Sequence, residues 1–242
     1  MRRTLVIGDI HGGLKALIQV LTRANISSSD TLIFLGDYVD GWSESAQTIQ
    51  YLIELSEKHN CVFILGNHDL WCKLWLEKGV TNPIWSAHGG KGTIESYIKT
   101  TYVTKKSHLT FFNTLKHYHI DTENRLFVHA GFTSMHGVEK EYNKNDFYWD
   151  RTLWEAARIL KQVKEEKRAG IETRLQLYNE IYIGHTPTIH YGEAIPMECI
   201  NLWNLDTGAA FTGKLTVMDI DSKQYWQSDC LTELYPNEKG RN

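Results

Sequence analysis

Apolar runs that end abruptly at a small or polar residue recur along the chain. The clearest lies in residues 31–42, TLIFLGDYVDGW, where β-branched and apolar residues stop at Gly36 and lead into Asp37. A short apolar run bounded in this way is typical of a strand that is buried on both faces. Four more stretches repeat the design, namely residues 4–12, 61–69, 125–131 and 181–186. We therefore predict five strands whose ends present polar side chains.

Helical patterns separate the first of these strands. Residues 14–21 place leucine and isoleucine on one face at the i, i+3, i+4, i+7 spacing, and residues 46–53 have a similar apolar face. Strands that alternate with helices predict a sheet of parallel strands joined by crossover helices. Further apolar runs after residue 200 predict strands that we expect to form a second sheet packed on the first.

The stretch from residue 73 to residue 120 has a weaker pattern. We expect helices at residues 70–78, 94–100 and 109–117, with a glycine-rich loop, HGGKGT, before the second of them. Residues 154–167 read as a charged helix on the surface. Because residues 81–106 carry this loop, we expect them to control access of the substrate.

Composition narrows the class of protein. The 242 residues carry a net charge of −3, which gives no basic footprint for binding nucleic acid. Four scattered cysteines and no apolar run of membrane-spanning length predict a reduced, cytoplasmic protein with no membrane partner. We expect one domain over residues 1–235 and a frayed tail at residues 236–242.

The polar residues at the strand ends are candidate metal ligands. Asp9 and His11 follow the first strand and Asp37 follows the second, while an asparagine and two histidines follow the others: Asn67, His129 and His185. In open α/β sheets, ligands bind beyond the carboxyl ends of the strands. Oxygen and imidazole ligands without thiolate suit manganese, iron or zinc rather than a structural zinc site.

Five motifs in order carry a family resemblance: GDIHG, GDYVDGW, GNHD, HAG and GHTP. This set resembles the signature of the calcineurin-like metallophosphoesterases. Within them it is most similar to the phosphoprotein phosphatases, especially the small bacterial and phage-type serine/threonine enzymes. The resemblance implies a four-layer αββα sandwich of the α/β (α+β) class, in which two mixed β-sheets are flanked by helices.

The resemblance also implies a centre of two divalent or trivalent metal ions, manganese first, with iron or zinc as alternatives. Asp9 and His11 would bind the first ion, and Asp37 would bridge both. The second ion would take Asn67, His129 and His185. His68 would protonate the leaving group, and Asp40 would hydrogen-bond His68, orient its ring and favour the imidazolium.

The implied activity is hydrolysis of phosphate monoesters by a metal-activated hydroxide in line with the leaving group. We expect a serine/threonine protein phosphatase, acting on a phosphorylated protein. The alternative is a small-molecule phosphoesterase, such as a symmetrical diadenosine tetraphosphate hydrolase, acting on a nucleotide. A third reading is a catalytically silent binding module that keeps the fold.

Departures from the family pattern concern phosphate binding. The family usually reads GDYVDRG, but this chain has Gly41 and Trp42 after Asp40, and Leu65 stands where phage-type enzymes often have another arginine. Arginine is the natural clamp for phosphate. The remaining candidates for substrate contact are Arg151, in the YWDR stretch, with Asn67, Lys91 and Trp42, the last as a stacking surface.

Overall fold

The computed structural model describes residues 2–98, 100–168, 170 and 172–241. Ten strands lie within these ranges: β1 Thr4–Ile7, β2 Thr31–Phe34, β3 Asn60–Phe63, β4 Tyr118–Ile120, β5 Arg125–Val128, β6 Glu180–Ile183, β7 Met197–Cys199, β8 Leu202–Asn204, β9 Thr216–Asp219 and β10 Tyr225–Gln227. Nine α-helices accompany them: α1 Leu14–Arg23, α2 Ser45–Ser56, α3 Asn67–Lys78, α4 Pro83–Trp85, α5 Lys91–Ile98, α6 Tyr102–Thr114, α7 Asp146–Trp149, α8 Thr152–Gln162 and α9 Leu231–Leu234.

The strands form two five-stranded mixed sheets. The first has the order β10-β9-β1-β2-β3, in which β1, β2 and β3 are parallel and β9 and β10 run antiparallel. The second has the order β4-β5-β6-β8-β7, with β5, β6 and β8 parallel and an antiparallel strand at each edge. Six strands lie in the two parallel cores, and five of them, β1, β2, β3, β5 and β6, end at the predicted site residues.

Side chains that alternate along the strands divide the interior into layers. One cluster of buried side chains joins the inner faces of both sheets, including Val6 and Met218 from the first and Phe127 and Tyr182 from the second. A second cluster lies between the first sheet and α1 and α2, and a third lies between the second sheet and α8. The predicted four-layer αββα sandwich of two mixed sheets is therefore confirmed.

Two predictions about elements need correction. The strands after residue 200 do not all belong to the second sheet: β8 does, but β9 pairs with β1 and extends the first sheet. Helix α3 begins at Asn67 rather than at residue 70, so that three polar residues occupy its first turn. None of the helices in the part of the chain that the structure describes has the length and apolar composition needed to cross a membrane.

Trp42 packs inside the protein rather than at its surface. Its side chain is fully buried, its indole Nε1 donates to the carbonyl oxygen of Ala209 at 2.7 Å, and its ring stacks on Tyr235 with a centroid distance of 5.1 Å. A buried indole that already has its hydrogen-bond partner cannot stack on a ligand. The expectation that Trp42 binds substrate is wrong.

The segment after α9 packs against the region around Trp42. The backbone N–H of Arg241 donates to the carbonyl oxygen of Ala210 at 2.9 Å, and the Glu238 carboxylate accepts from the backbone and hydroxyl of Ser43 at 2.9 and 2.7 Å. These contacts correct the expectation of a frayed tail for residues 236–241. Asn242, the last residue of the predicted tail, lies outside the described residues.

We expect Trp42→Ala to lower the free energy of unfolding by about 3–5 kcal/mol, because it opens a large cavity and leaves the Ala209 carbonyl without its donor. Denaturant unfolding of both proteins would measure the difference. Tyr142→Ala is the matched control, since the Tyr142 side chain is 100% exposed and its loss should change stability by less than about 0.5 kcal/mol. Equal stability of the two variants would contradict the buried position of Trp42.

Candidate metal centre

Six polar side chains converge where the parallel strands end. Asp9 and His11 follow β1, Asp37 follows β2, and Asn67 begins α3 after β3. His129 follows β5 and His185 follows β6. All six are at most 7% exposed, although each is of a residue type that normally stays in contact with water. These are the six residues that the sequence predicted as ligands, and the fold brings all of them to one place.

Asp37 lies at the middle of this cluster. Its Oδ2 is 3.6 Å from Nε2 of His11 and 3.4 Å from Nε2 of His129. His129 Nε2 is in turn 3.3 Å from Oδ1 of Asn67, and His11 Nε2 is 3.8 Å from Oδ2 of Asp9. Two groups of possible ligands share Asp37, one with His11 and His68 and the other with His129 and His185. The predicted bridging position of Asp37 is therefore geometrically available.

The Asp69 carboxylate fixes the loop that carries Asp37. Its oxygens accept from the backbone N–H groups of Asp37 and Tyr38, both at 2.8 Å, and of Gly66 at 2.9 Å. The Asp37 carboxylate in turn accepts from the backbone N–H of His68, at the start of α3, at 3.0 Å. Helix N-termini favour negative charge in this way. A Cβ atom at Gly66 would overlap Asp37, so that this close approach requires glycine.

Four residues of the centre adopt positive φ angles. The values are 52° at His11, 53° at Asp37, 70° at Asp40 and 67° at His185. Residues other than glycine rarely adopt this region, although aspartate and histidine do so more often than most. Such strain concentrates at functional sites because the surroundings hold it in place. These side chains are all buried in the cluster, at most 7% exposed.

His68 and Asp40 form the predicted pair. His68 Nδ1 and Asp40 Oδ2 form a hydrogen bond of 2.6 Å, which orients the ring. Two further donors hold the Asp40 carboxylate, and sequence reasoning missed both: Trp85 Nε1 at 2.7 Å and the Thr93 hydroxyl at 2.6 Å. Both come from the region of residues 81–106, whose hydrophobic pattern is weak. The glycine-rich motif around Thr93 was the one signal that could have pointed to it.

Burial sets the protonation of this pair. It raises the pKa of Asp40 to about 8 and lowers the pKa of His68 to about 3, since each charged form loses its hydration in the interior. The expectation that Asp40 favours a His68 imidazolium is therefore not met in the structure as it stands. What the Asp40 contact supplies is the orientation and tautomer of the ring.

The histidines of the cluster differ from one another in their protonation. Burial lowers the pKa of His11 and His185 well below the usual range, which keeps them neutral. At His129 burial acts in the same direction, but the charge and hydrogen bond of Asp37 overcome it and raise the pKa to about 10. Burial opposes ionisation of Asp37 as well, yet His129 and His68 lower its pKa well below the usual range. A cation bound beside Asp37 would displace the proton of His129.

The cluster has the features that a metal centre requires. Among the described residues, two of its buried ligand atoms have no hydrogen-bond partner, Oδ1 of Asp9 and Nε2 of His185. Such atoms are costly unless something binds them. The donors are carboxylate and amide oxygens with imidazole nitrogens, and no cysteine takes part, which suits a hydrolytic centre rather than a structural zinc site. The side chains thus fit cations shared by Asp37.

A cavity of about 140 Å³ opens onto the centre. Asp37, Asn67 and His68 line it, and so does Arg151, the arginine that the sequence singled out as a candidate for substrate contact. Further lining residues were not singled out for this role: Trp71, Ile84, His88, Trp149, Pro187, His190, Phe211 and Arg241. Three of them lie in motifs noted in the sequence, His88 in HGGKGT, Trp149 in YWDR and Pro187 in GHTP, and the others lie in stretches without such a motif.

The other predicted contacts lie elsewhere. The side chain of Lys91 is 81% exposed and its ammonium is 3.8 Å from Glu95, so it does not line the cavity. Leu65 belongs to the apolar cluster under the second sheet and does not line the cavity. Trp149, not Trp42, is the tryptophan that is exposed at the cavity, at 42%, with its ring 5.8 Å from that of His185.

Comparison with known proteins agrees with this architecture. The profile of the calcineurin-like phosphoesterases matches residues 2–211. A symmetrical bis(5'-nucleosyl)-tetraphosphatase from Marinomonas sp. (strain MWYL1) is 21% identical over 94% of this chain and 97% of its own length. An asymmetrical bis(5'-nucleosyl)-tetraphosphatase, PrpE, from Bacillus cereus (strain B4264) is 27% identical over 87% of each protein.

Solved structures share the fold. A crystal structure provisionally named as a diadenosine tetraphosphatase superimposes with a TM-score of 0.65 and 18% identity, covering 93% of this chain and 92% of the other. A serine/threonine phosphatase from Saccharomyces cerevisiae superimposes with a TM-score of 0.61 and 13% identity, covering 90% and 73%. At these identities the likeness concerns the fold alone.

We expect Mn²⁺ to raise the melting temperature of the protein, because a ligand that binds only the folded state stabilises it by about 2.7 kcal/mol at 100 times its Kd. Asp37→Asn should lose most of this stabilisation, since the amide that replaces the central carboxylate carries no charge. Thermal unfolding with and without Mn²⁺, together with elemental analysis, would measure both effects.

Asp221→Asn is the control for this experiment. The Asp221 side chain is 65% exposed and pairs with Arg125 at the surface, so that the variant should keep the full response to Mn²⁺. An Asp37→Asn protein that binds Mn²⁺ as the unaltered protein does would refute the central position of Asp37.

Proposed function

The chain belongs to the calcineurin-like phosphoesterases and is a metal-dependent hydrolase of phosphoesters, and from that premise we propose that its substrates are dinucleoside tetraphosphates. The observation that carries this proposal is Trp149, exposed at the mouth of the cavity beside His185. A nucleobase stacked on an aromatic side chain contributes about 1–3 kcal/mol to binding. The two tetraphosphatase relatives support the same substrate class.

The small volume of the cavity favours a substrate that is only partly enclosed by it. Pockets that enclose a drug-sized ligand measure about 300–1,000 Å³, whereas this one measures about 140 Å³. Phosphate groups would therefore occupy the cavity, and the nucleosides would lie along its rim. The rim is aromatic on the side of Trp149 and Trp71, whose rings contact each other edge to face at 5.2 Å.

The metal ions would be held by Asp9, His11, Asp37, Asn67, His129 and His185, with manganese as the first candidate and iron or zinc as alternatives. When bound, the ions would lower the pKa of coordinated water and neutralise charge on the phosphoryl oxygens. Arg151, at the edge of the cavity, would donate to phosphate oxygens and orient the phosphoryl group for in-line attack. Asn67 lines the same cavity and would add an amide donor to this contact.

His68 would act as general acid. Its Nδ1 is committed to Asp40, which leaves Nε2 as the ring nitrogen that can serve a substrate in the cavity. With Asp40 protonated, its carboxyl group would donate to Nδ1 and the neutral ring would carry its proton on Nε2. As the bond between phosphorus and the leaving oxygen breaks, the Nε2 proton would pass to that oxygen while the Asp40 proton moves to Nδ1, which leaves a neutral ring and an Asp40 carboxylate. Asp40 is a positioning residue, held by Trp85 and Thr93, and keeps the ring in the required tautomer.

His68→Asn should lower kcat by about 10²–10⁴-fold on phenyl phosphate, whose phenolate is a poor leaving group, and by less on p-nitrophenyl phosphate. The difference arises because nitrophenolate departs without a proton. Asp37→Asn should lower both rates alike, which makes it the matched comparison. Equal losses for His68→Asn on the two substrates would show that His68 is not the acid.

The substrate class can be tested with a panel of diadenosine tetraphosphate, a phosphoserine peptide and p-nitrophenyl phosphate, assayed with Mn²⁺. We expect the highest kcat/KM for the dinucleotide, because the tetraphosphate can use Arg151 and the aromatic rim together. The nucleotide products would show whether cleavage is symmetrical, giving two diphosphates, or asymmetrical, giving a triphosphate and a monophosphate.

Trp149→Ala separates the two substrate classes. It should raise KM for diadenosine tetraphosphate roughly tenfold and leave p-nitrophenyl phosphate almost unchanged, since only the former has a base to stack. A preference for the phosphopeptide that is insensitive to Trp149→Ala would instead favour the predicted serine/threonine protein phosphatase. Bound metal without turnover of any substrate would favour the binding module.

A further inference from the structure

The backbone at Gly41 disfavours the arginine that the related GDYVDRG motif carries, because a side chain there would be strained and tightly packed. The φ angle of Gly41 is 124°, a region that side-chain-bearing residues rarely adopt. A Cβ atom there would lie 3.1 Å from the carbonyl oxygen of His11 and 3.3 Å from its Cβ. The same hypothetical atom would lie 3.4 Å from Cγ of Arg241. The aliphatic part of the Arg241 side chain therefore lies beside the position that a side chain at residue 41 would occupy.

Arg241 reaches the cavity from the segment that follows α9. It lines the cavity together with Asp37, Asn67 and His68. The backbone N–H of Arg241 is anchored on Ala210, and its guanidinium carbon lies 5.3 Å above the ring of Phe211. A stacked, anchored arginine loses little further freedom when it binds a ligand, because its plane is already oriented.

The donors of Arg241 are largely uncommitted. One Nη2 contact reaches Nδ1 of His88 at 3.2 Å, and the buried Nε has no hydrogen-bond partner among the described residues. Within the same part of the chain, no acidic side chain forms a salt bridge with this guanidinium. A buried N–H without a partner is costly, and an arginine without a carboxylate retains its charge for an anion.

The two arginines of the cavity approach the centre from different sides. Arg241 lies beside Gly41 and His88, next to the His11 and His68 half of the cluster. Arg151 follows Trp149, whose ring contacts His185 in the other half. An anion in the cavity would therefore meet a guanidinium on each flank.

We propose that Arg241 binds a phosphate group of the substrate, opposite Arg151, and takes the part that an arginine at position 41 would otherwise play. This inference rests on the proposed function only in requiring a phosphorylated substrate in this cavity. It assigns to Arg241 the planar two-donor contact with phosphate oxygens that lysine cannot reproduce.

The test measures phosphate binding apart from the choice of physiological substrate. Inorganic phosphate would be titrated as an inhibitor of p-nitrophenyl phosphate hydrolysis with Mn²⁺, and its binding would also be measured by calorimetry. Arg241→Ala should weaken the binding of inorganic phosphate by about ten- to hundredfold. For p-nitrophenyl phosphate, it should raise KM by a larger factor than it lowers kcat. Arg241→Lys should recover part of the affinity for phosphate, because it restores the positive charge but not the planar pair of donors.

Arg241→Gln guards against a failure of folding, since it keeps most of the stem over Phe211 while removing the charge. Its melting temperature should stay close to that of the unaltered protein while its phosphate affinity falls as in Arg241→Ala. Arg23→Ala is the control, because Arg23 pairs with Asp229 on the surface and should leave phosphate binding unchanged. Phosphate affinity within about twofold of the unaltered protein in a folded Arg241→Gln variant would overturn the proposal.

The outcome is separable from that of the substrate panel. If diadenosine tetraphosphate is not hydrolysed but phosphate binding still depends on Arg241, the substrate assignment fails and the role of Arg241 stands. If the dinucleotide is the preferred substrate and Arg241→Gln binds phosphate normally, the role of Arg241 fails and the substrate assignment stands.

Discussion

The Asp69 carboxylate accepts from three backbone N–H groups, two in the loop after β2 and one in the turn before α3. These bonds join two strand ends that are adjacent in the first sheet but 29 residues or more apart along the chain. With the turn held, Asp37 can accept from the first turn of α3 and stand between His11 and His129. The positions of Asp37 and of Asn67, which begins α3, therefore depend on a residue that is not itself a candidate ligand.

The same constraint explains why strained backbone persists here. His11, Asp37, Asp40 and His185 each have a positive φ angle, at a cost of about 1–3 kcal/mol for each residue in such a region. The bonds of Asp69 and the contacts of Asp40 with Trp85 and Thr93 offset part of that cost. Aspartate and histidine tolerate this backbone region better than most residues, and they are also metal ligands. One choice of residue therefore satisfies both the turn and the chemistry.

Sequence patterns predicted the elements and residues whose structure depends mainly on their neighbours along the chain. Apolar periodicity and turn residues can be recognised within a short stretch of sequence. They were sufficient to identify the six candidate ligands at the strand ends and seven elements, namely β1, β2, β3, β5, β6, α1 and α2. Partners distant in sequence could not be identified. The cover over Trp42 comes from Ala209 and Tyr235, and the pairing of β9 with β1 joins the two ends of the chain. Nothing near Trp42 in sequence indicates that it will be enclosed.

The positive charges of the cavity also come from residues that are distant in sequence from the first three motifs. The buried centre concentrates carboxylates and imidazoles, and burying arginines beside it would add a large desolvation cost. Gly41, inside the second motif, and Leu65, directly before the third, carry no cation. Gly41 has a backbone conformation that favours glycine, and Leu65 packs in an apolar cluster. The cations of the cavity come instead from Arg151 and Arg241, at its edges and partly in contact with water. Two guanidiniums set apart at a rim would suit an extended anion with several phosphates better than a single compact one.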